Sequence, residues 1–214
     1  MTRRLMPRTV NLLSPYKFIS QDTLHGGHEH NGFRDRECAE YWRERSCGIA
    51  CAQMLLYAQH GHIIPAGRLI EDGVAIGAYR KGVGWTHSGL AALLTKQGVP
   101  AIARLLLAED LMYHLVLGGA AILSVTPTLG VKRQPPELPS ARGGHLILCH
   151  GFCVPLNPAE PCTPLSELLI SDPDHDFPDR LEGTLTSFDL VARAWSGRCI
   201  AISPMRHYIN QNGN

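Results

Sequence analysis

The chain has 214 residues, 44% of them hydrophobic and 18% charged, and its formal net charge is +1. These values are typical of a globular protein long enough to bury a substantial core, so we expect a single domain over residues 1–214. Such a small net charge gives no electrostatic reason to expect nucleic acid or a membrane surface as a partner.

The absence of several known motifs and targeting segments narrows the class of protein further. The sequence has no Walker-type phosphate loop, no GxGxxG and no GxSxG, which argues against nucleotide-binding proteins and serine hydrolases. The longest apolar run, residues 115–125, is too short to span a bilayer, and no hydrophobic signal core follows the basic N-terminus. We therefore expect a cytoplasmic protein whose seven cysteines are reduced.

In chain order, residues 1–44 are predicted to form an irregular lead-in to a core of residues 45–203. Within the lead-in, residues 15–21 (PYKFISQ) have the pattern of a short strand. Residues 39–45 are predicted to form a short helical turn beside the first long helix of the core.

Residues 22–36 have the composition of a polar loop that contains glycines. Three histidines lie in it and a cysteine follows it: His25, His28, His30 and Cys38. Composition alone leaves a zinc site open, but the spacing of these residues matches no defensible zinc pattern. We predict a solvated loop and no metal site.

The most informative stretch is SCGIACAQMLLYA, residues 46–58. Its apolar residues recur at helical spacing, with Ser46 as the predicted N-cap and Gly61 as the stop. Cys47 then lies at the N-terminus of a buried helix, where the helix dipole and free N–H groups favour a thiolate. Cys47 is therefore a candidate nucleophile. Free cysteines commonly fill space in a core, and Cys51, one turn further along, fits that interpretation better.

A second short helix is predicted over residues 66–71, and residues 77–84 have the pattern of a glycine-rich loop. Ser88 is the predicted N-cap of a helix over residues 89–97. Between loop and helix, Trp85 and His87 are candidates for lining a substrate pocket, although helix capping and loop packing would explain them equally well.

The second half of the chain has mostly strand patterns. Strands are predicted over residues 99–106, 120–125, 144–152, 167–171 and 199–203, and helices over residues 109–117 and 188–194. The proline-rich residues 126–143 form a long connection and a candidate binding flap. Helices in the first half and strands in the second predict an α+β fold, with a helical layer packed on a largely antiparallel sheet.

A cysteine nucleophile needs a base, and the base needs an orienting group. His145 begins an apolar strand beside glycines, and Asp172 ends the next one. His150 is the alternative base, but it lies an odd number of residues away and is predicted to face the other side of the strand. Asp174 and Asp176 compete with Asp172 for the orienting role. A cysteine on a helix, followed by histidine and acid on adjacent strands, is the chain order of papain-like cysteine hydrolases.

Four segments together resemble a known family: SCGIACAQMLLYA, GAYRKGVGWTHSGLAALLTKQGVPA, GGHLILCHGF and ISDP. They are similar to the papain-like cysteine peptidases of the double-glycine-leader (bacteriocin-processing) peptidase-like family, over about residues 45–203. The resemblance implies Cys47 as nucleophile, His145 as general base and Asp172 as orienting acid. The family also has a glutamine before the cysteine that donates to the oxyanion. Residues 41–44 contain none, and Gln21, at the end of an extended run, is the residue of this chain that matches that form.

The sequence thus predicts a cysteine hydrolase that attacks a peptide or other amide carbonyl without a cofactor. Two alternatives stay open: an acyltransferase that uses the same site, and a binding module of the same fold that does not cut its peptide. Members of the family are often fused to a transporter, whereas we expect this protein to stand alone.

Overall fold

The computed structural model describes residues 8–126, 144–154, 166–174 and 183–205. The helices are α1 (Arg36–Arg43), α2 (Cys47–His60), α3 (Ala66–Ala75), α4 (His87–Lys96), α5 (Ala108–Val116) and α6 (Phe188–Ala194). The strands are β1 (Arg8–Asn11), β2 (Tyr79–Arg80), β3 (Gly84–Trp85), β4 (Ala101–Leu105), β5 (Ala120–Val125), β6 (His145–Val154), β7 (Glu167–Ser171), β8 (Thr184–Ser187) and β9 (Trp195–Ile202). The candidate flap, residues 127–143, lies outside the described residues.

One antiparallel sheet forms the centre of the fold. Its strands follow the order β4-β9-β5-β6-β7-β8, and β1 pairs with the second half of β6. The strands β5 and β7 are rich in Ile, Leu and Val, which pack well on a pleated surface. The short strands β2 and β3 form a separate hairpin. Together with the helices, this sheet confirms the predicted α+β class.

Helices pack on both faces of the sheet. The helices α2, α3 and α4 share one hydrophobic cluster with Leu146 and Leu148 of β6. The helices α5 and α6 share the other cluster with Ile147 and Cys149. Successive side chains of a strand point to opposite faces, so one strand contributes to both clusters.

The helix α2 is the most buried of the helices. Every residue from Gly48 to Leu56 is buried, so the helix has no exposed face in this stretch, rather than the single apolar face that its spacing suggested. Gly61 ends it in the left-handed conformation, with φ of 73°, as predicted. Its N-terminus lies close to its neighbours, since a Cβ at Gly48 would come within 2.9 Å of Leu146 Cδ1.

Several local predictions are corrected. Residues 15–21 form no strand: their apolar side chains pack against the cluster beneath α2, and the N-terminal strand is β1 instead. The strand β8 was not predicted. Ser46 occupies the N-cap position of α2 as predicted, but its hydroxyl donates to the Trp42 carbonyl at 2.9 Å and makes no capping hydrogen bond. The N-cap of α4 is Thr86, which accepts from the Gly89 N–H, so the helix begins two residues earlier than Ser88 would have placed it.

Candidate active site

Cys47 is the first residue of α2 and is partly exposed. The first N–H groups of a helix have no acceptor within it, and they create a positive electrostatic environment around this side chain. Cys51, one turn later, is fully buried and contacts the Leu146 carbonyl at 3.6 Å. Burial, followed by the charges of Cys47 and Asp172, raises the pKa of the Cys51 thiol well above its ordinary value. The two cysteines therefore differ sharply in access to solvent.

His145 lies between Cys47 and Asp172. Its Nε2 is 2.6 Å from Asp172 Oδ1, and Cys47 lies near enough to the ring to affect its pKa. The side chains of the histidine and the aspartate are only 17% and 13% exposed. Burial lowers the pKa of His145, but the hydrogen bonds and charges of Asp172 and Cys47 outweigh it and raise the pKa to about 10. The structure thus brings together the three residues that the sequence singled out.

Gln21 lies against the turn that carries Asp172. Its backbone N–H donates to the Pro173 carbonyl at 2.9 Å, and its Nε2 donates to Asp174 Oδ1 at 3.0 Å. The Asp174 N–H in turn donates to Asp172 Oδ1 at 3.0 Å. Gln21 Oε1 is buried and has no hydrogen-bond partner among the described residues. A chain segment 26 residues before the cysteine is therefore held beside the histidine–aspartate pair, with one hydrogen of its amide group still available.

His150, the alternative base, lies in a different environment. Its Nδ1 is 2.9 Å from Asn11 Oδ1, and its Nε2 is 2.9 Å from Ser171 Oγ. Asn11 Oδ1 already accepts from the Leu13 N–H, which identifies it as an acceptor and places the His150 proton on Nδ1. Tyr16 stacks on the ring at 4.4 Å and its hydroxyl contacts Ser171. Burial lowers the pKa of His150 to about 3, so the ring is a neutral part of the core.

A cleft of about 820 Å³ opens beside Cys47. Its floor is the sheet, from Gly144 and Leu146 across β5 to Arg198 and Ala103. Its opposite wall consists of the start of α2, the β2–β3 hairpin and the start of α4. Trp85 and His87 both line it, whereas Gln21 does not.

An aromatic cluster supports one wall of the cleft. Trp42 contacts both Tyr79 and Trp85, with ring centroids 4.7 and 5.8 Å apart. Trp85 Nε1 donates to the Arg45 carbonyl at 2.8 Å, which fixes the chain two residues before Cys47. The sequence did not indicate Tyr79 or Arg198 as lining residues. Tyr79 belongs to one of the segments that carry the resemblance, but nothing in it marks this residue as a lining one, and no motif surrounds Arg198, which reaches the cleft through β9.

The histidines of the polar loop are not gathered into a site. His25, His30 and Cys38 are exposed, and Asn31 holds the loop by donating to the Thr23, His25 and Gly27 carbonyls. Within the described ranges, no three His, Cys, Asp or Glu side chains come together in a way that could hold a metal ion. None of the described helices combines the length and the hydrophobicity needed to cross a membrane.

Comparisons with known proteins give a consistent result at the level of the fold. No protein-family model and no curated protein matches the chain. The peptidase domain of Streptococcus ComA, a bifunctional ABC transporter involved in a quorum-sensing pathway, is 20% identical with a TM-score of 0.50, over 76% of this chain and 93% of that domain. A Bacillus anthracis protein described as a C39-like peptidase is 15% identical with a TM-score of 0.55, over 91% of this chain and 97% of that protein.

The chain therefore has the fold of cysteine peptidase domains. More particularly, it is the fold of the C39, or double-glycine, peptidase domains, so the resemblance that the sequence motifs indicated is confirmed for the fold.

Proposed function

We propose that this protein is a cysteine hydrolase that cleaves a peptide or other amide bond, with Cys47 as nucleophile, His145 as general base and Asp172 as orienting acid. The observation that carries the proposal is the position of the His145 ring, whose Nε2 is 2.6 Å from Asp172 Oδ1 and which lies near enough to Cys47 for that thiol to raise its pKa. Nucleophile, base and orienting group in hydrogen-bond reach of one another are what covalent catalysis by cysteine requires.

The chemistry follows from the two nitrogens of the ring. Nε2 is held by Asp172, so Nδ1 is the nitrogen that takes the proton of Cys47. The thiolate Sγ attacks the carbonyl carbon, and the imidazolium then gives its proton to the leaving amine, which departs as the thioester forms. His145 next removes a proton from water, the hydroxide attacks the thioester carbonyl carbon and expels the Cys47 thiolate, and the product leaves as a carboxylate. No cofactor takes part in these steps.

The raised pKa of His145 supports this sequence. With a pKa of about 10, the ring holds a proton at neutral pH beside Cys47. The proton that the leaving amine needs is then already in place. The cost of burying the charged ring is offset by the carboxylate of Asp172, which stays within 2.6 Å.

Two donors are available for the oxyanion. The backbone N–H of Cys47 is unused within α2 because it opens the helix. The second donor that we propose is the side-chain amide of Gln21, whose Nε2 has one hydrogen not bonded to Asp174. Trp85 and His87, which line the cleft, would contact the substrate.

Cleavage of a quenched-fluorescence peptide library tests the proposal. We expect activity in the presence of reductant and EDTA, and its loss after alkylation with iodoacetamide. Cys47→Ala should lose the activity and keep the fold, because only binding and oxyanion contacts remain. Cys38→Ala is the matched control, since this thiol is exposed on α1 and outside the cleft.

Other results would contradict the proposal. Activity that disappears with EDTA, returns with zinc and persists in Cys47→Ala would identify a metal-dependent hydrolase instead. Transfer of the acyl group to an added amine in place of water would assign acyl transfer to the same three residues. A protein that binds library peptides but cuts none, in wild-type form, would be a binding module of this fold.

A further inference from the structure

One end of the cleft carries positive charge. Arg198 projects from β9 into it, and the N-terminus of α4 opens at the same end through Thr86, His87 and Ser88. Thr86 Oγ1 accepts from Gly89 N–H, which leaves the N–H groups of His87 and Ser88 without an acceptor in the helix. Arg198 is close enough to His87 to contribute, after burial, to lowering the pKa of that ring. Guanidinium and helix terminus therefore face one another.

Among the described residues, no acidic group neutralises the charge of Arg198. Arg198 forms no ion pair with any residue in the described part of the chain. No acidic residue lies in the first turn of α4. The acidic residue that lines the cleft within the described ranges is Glu44, and it is followed by Arg45, which also lines the cleft and lies over the Tyr41 ring. Because His87 is neutral at pH 7, the charge comes from Arg198 and the helix terminus.

The distance from Cys47 follows from the sheet. Strand β5 separates β6 from β9, so two strand spacings, roughly 10 Å, lie between the backbone beneath Cys47 and that of Arg198. Cys199 and Ile147 both pair with Leu123, so Arg198 is level with Leu146 along the strands. An extended peptide covers about 3.3 Å per residue, so about three residues span this distance.

We propose that Arg198 and the N-terminus of α4 form a subsite for a substrate carboxylate about three residues from the scissile bond. This inference rests on the proposed function, because it takes Cys47 as the point of attack. The carboxylate belongs either to an acidic side chain or to the C-terminus of the peptide. Arginine suits this role because its planar fork of N–H donors matches the two oxygens of a carboxylate.

Affinity labelling of Cys47 tests the subsite without relying on hydrolysis. The probes are bromoacetyl peptides with one to four glycines followed by glutamate amide or by glutamine amide. A second pair ends in glycine with a free carboxylate or with an amide, which separates the two sources of the charge. The folded protein is labelled, and the rate of labelling at Cys47 is measured by mass spectrometry. The rate for each charged probe is compared with the rate for its neutral partner.

At the spacer length that places the carboxylate about three residues from Cys47, we expect the charged probe to react about five times faster than the neutral one. An exposed ion pair raises affinity by about that factor. The ratio should fall toward one in Arg198→Gln and at high salt, and persist in part in Arg198→Lys. Arg104→Gln is the matched control, since Arg104 lies on the neighbouring strand β4 and outside the cleft, and it should keep the ratio.

A ratio of one at every spacer length in the wild type would overturn the subsite. So would a ratio that Arg198→Gln leaves unchanged. Selective labelling by a protein that hydrolyses no peptide would keep the subsite and reject the hydrolase, so the two failures are distinguishable.

Discussion

Replacing Asp172 with asparagine should remove much of the dependence of folding stability on alkaline pH. Asparagine keeps the size of the side chain but loses the charge that faces His145. Burial lowers the pKa of His145, while the hydrogen bonds and charges of Asp172 and Cys47 raise it from 6.5 to about 10. A group whose pKa is raised by folding stabilises the native state fully below its unfolded pKa, and this contribution is lost as pH rises toward the native value.

The size of the effect can be worked out for a convenient pH range. Between pH 6.5 and about pH 8.5 the unfolded imidazole loses its proton and the native one keeps it, so the wild-type free energy of unfolding should fall by about 2 kcal/mol. The ring is 17% exposed, so screening by solvent reduces this figure little. In Asp172→Asn the fall should be less than half as large, because burial still lowers the pKa of His145 and only Cys47 remains to raise it.

Urea unfolding with reductant, followed through the fluorescence of the three tryptophans, measures the free energy at each pH. The pH range stops near 8.5 because two buried thiols also lower the free energy of unfolding at higher pH. Burial raises the pKa of Cys149 to about 12 and of Cys199 to about 11. Asp189→Asn, an exposed carboxylate in the first turn of α6, is the control. Equal pH dependence in wild type and Asp172→Asn would refute the coupling between the aspartate and the histidine.

Four further predictions concern individual residues. Cys47 should react with iodoacetamide faster than the other cysteines at neutral pH, and mass-spectrometric mapping that finds exposed Cys38 equally fast would count against the nucleophile. Gln21→Ala should lower kcat/KM for a cleaved peptide by about tenfold to a thousandfold, and an unchanged value would leave the backbone donors as the whole oxyanion hole. His145→Ala should abolish turnover, whereas His150→Ala should lower Tm and leave kcat nearly unchanged; equal losses of kcat in folded proteins would contradict this. Because burial lowers the pKa of His150 to about 3, wild-type stability should also decline as pH falls below 6.5, and His150→Gln should decline less.

The helices and most strands were predictable because local signals determine them. Gly61 ends α2 in a left-handed conformation that glycine readily adopts, and apolar runs such as β5 and β7 have the composition of buried strands. The segment 15–21 shows the limit of such signals. Its apolar residues do become partly buried, but against a helix cluster, and no pattern within seven residues reveals which element provides the partner.

The candidate site likewise contains residues that the local sequence indicates and residues that only the fold brings into place. Cys47 and His145 belong to motifs, and Asp172 ends an apolar strand, so sequence alone could single them out. Arg198 has no motif around it, and its importance depends on β9 lying beside β5, a pairing of residues far apart in the chain. The placement of Gln21 beside Asp174 likewise depends on a contact across 153 residues. Such positions follow from topology and not from local spacing.

The place of β9 in the sheet has a consequence for protein synthesis. The strand lies between β4 and β5, although it is the last described strand to leave the ribosome. Until it emerges, β4 and β5 each present an unpaired edge, which is a site for aggregation or for a chaperone to cover. Cys47 is synthesised in the first quarter of the chain, long before the floor of its cleft exists. We expect Cys47 of the nascent polypeptide to lack a formed cleft, and cleavage activity to arise in one step once residue 202 is free to pair.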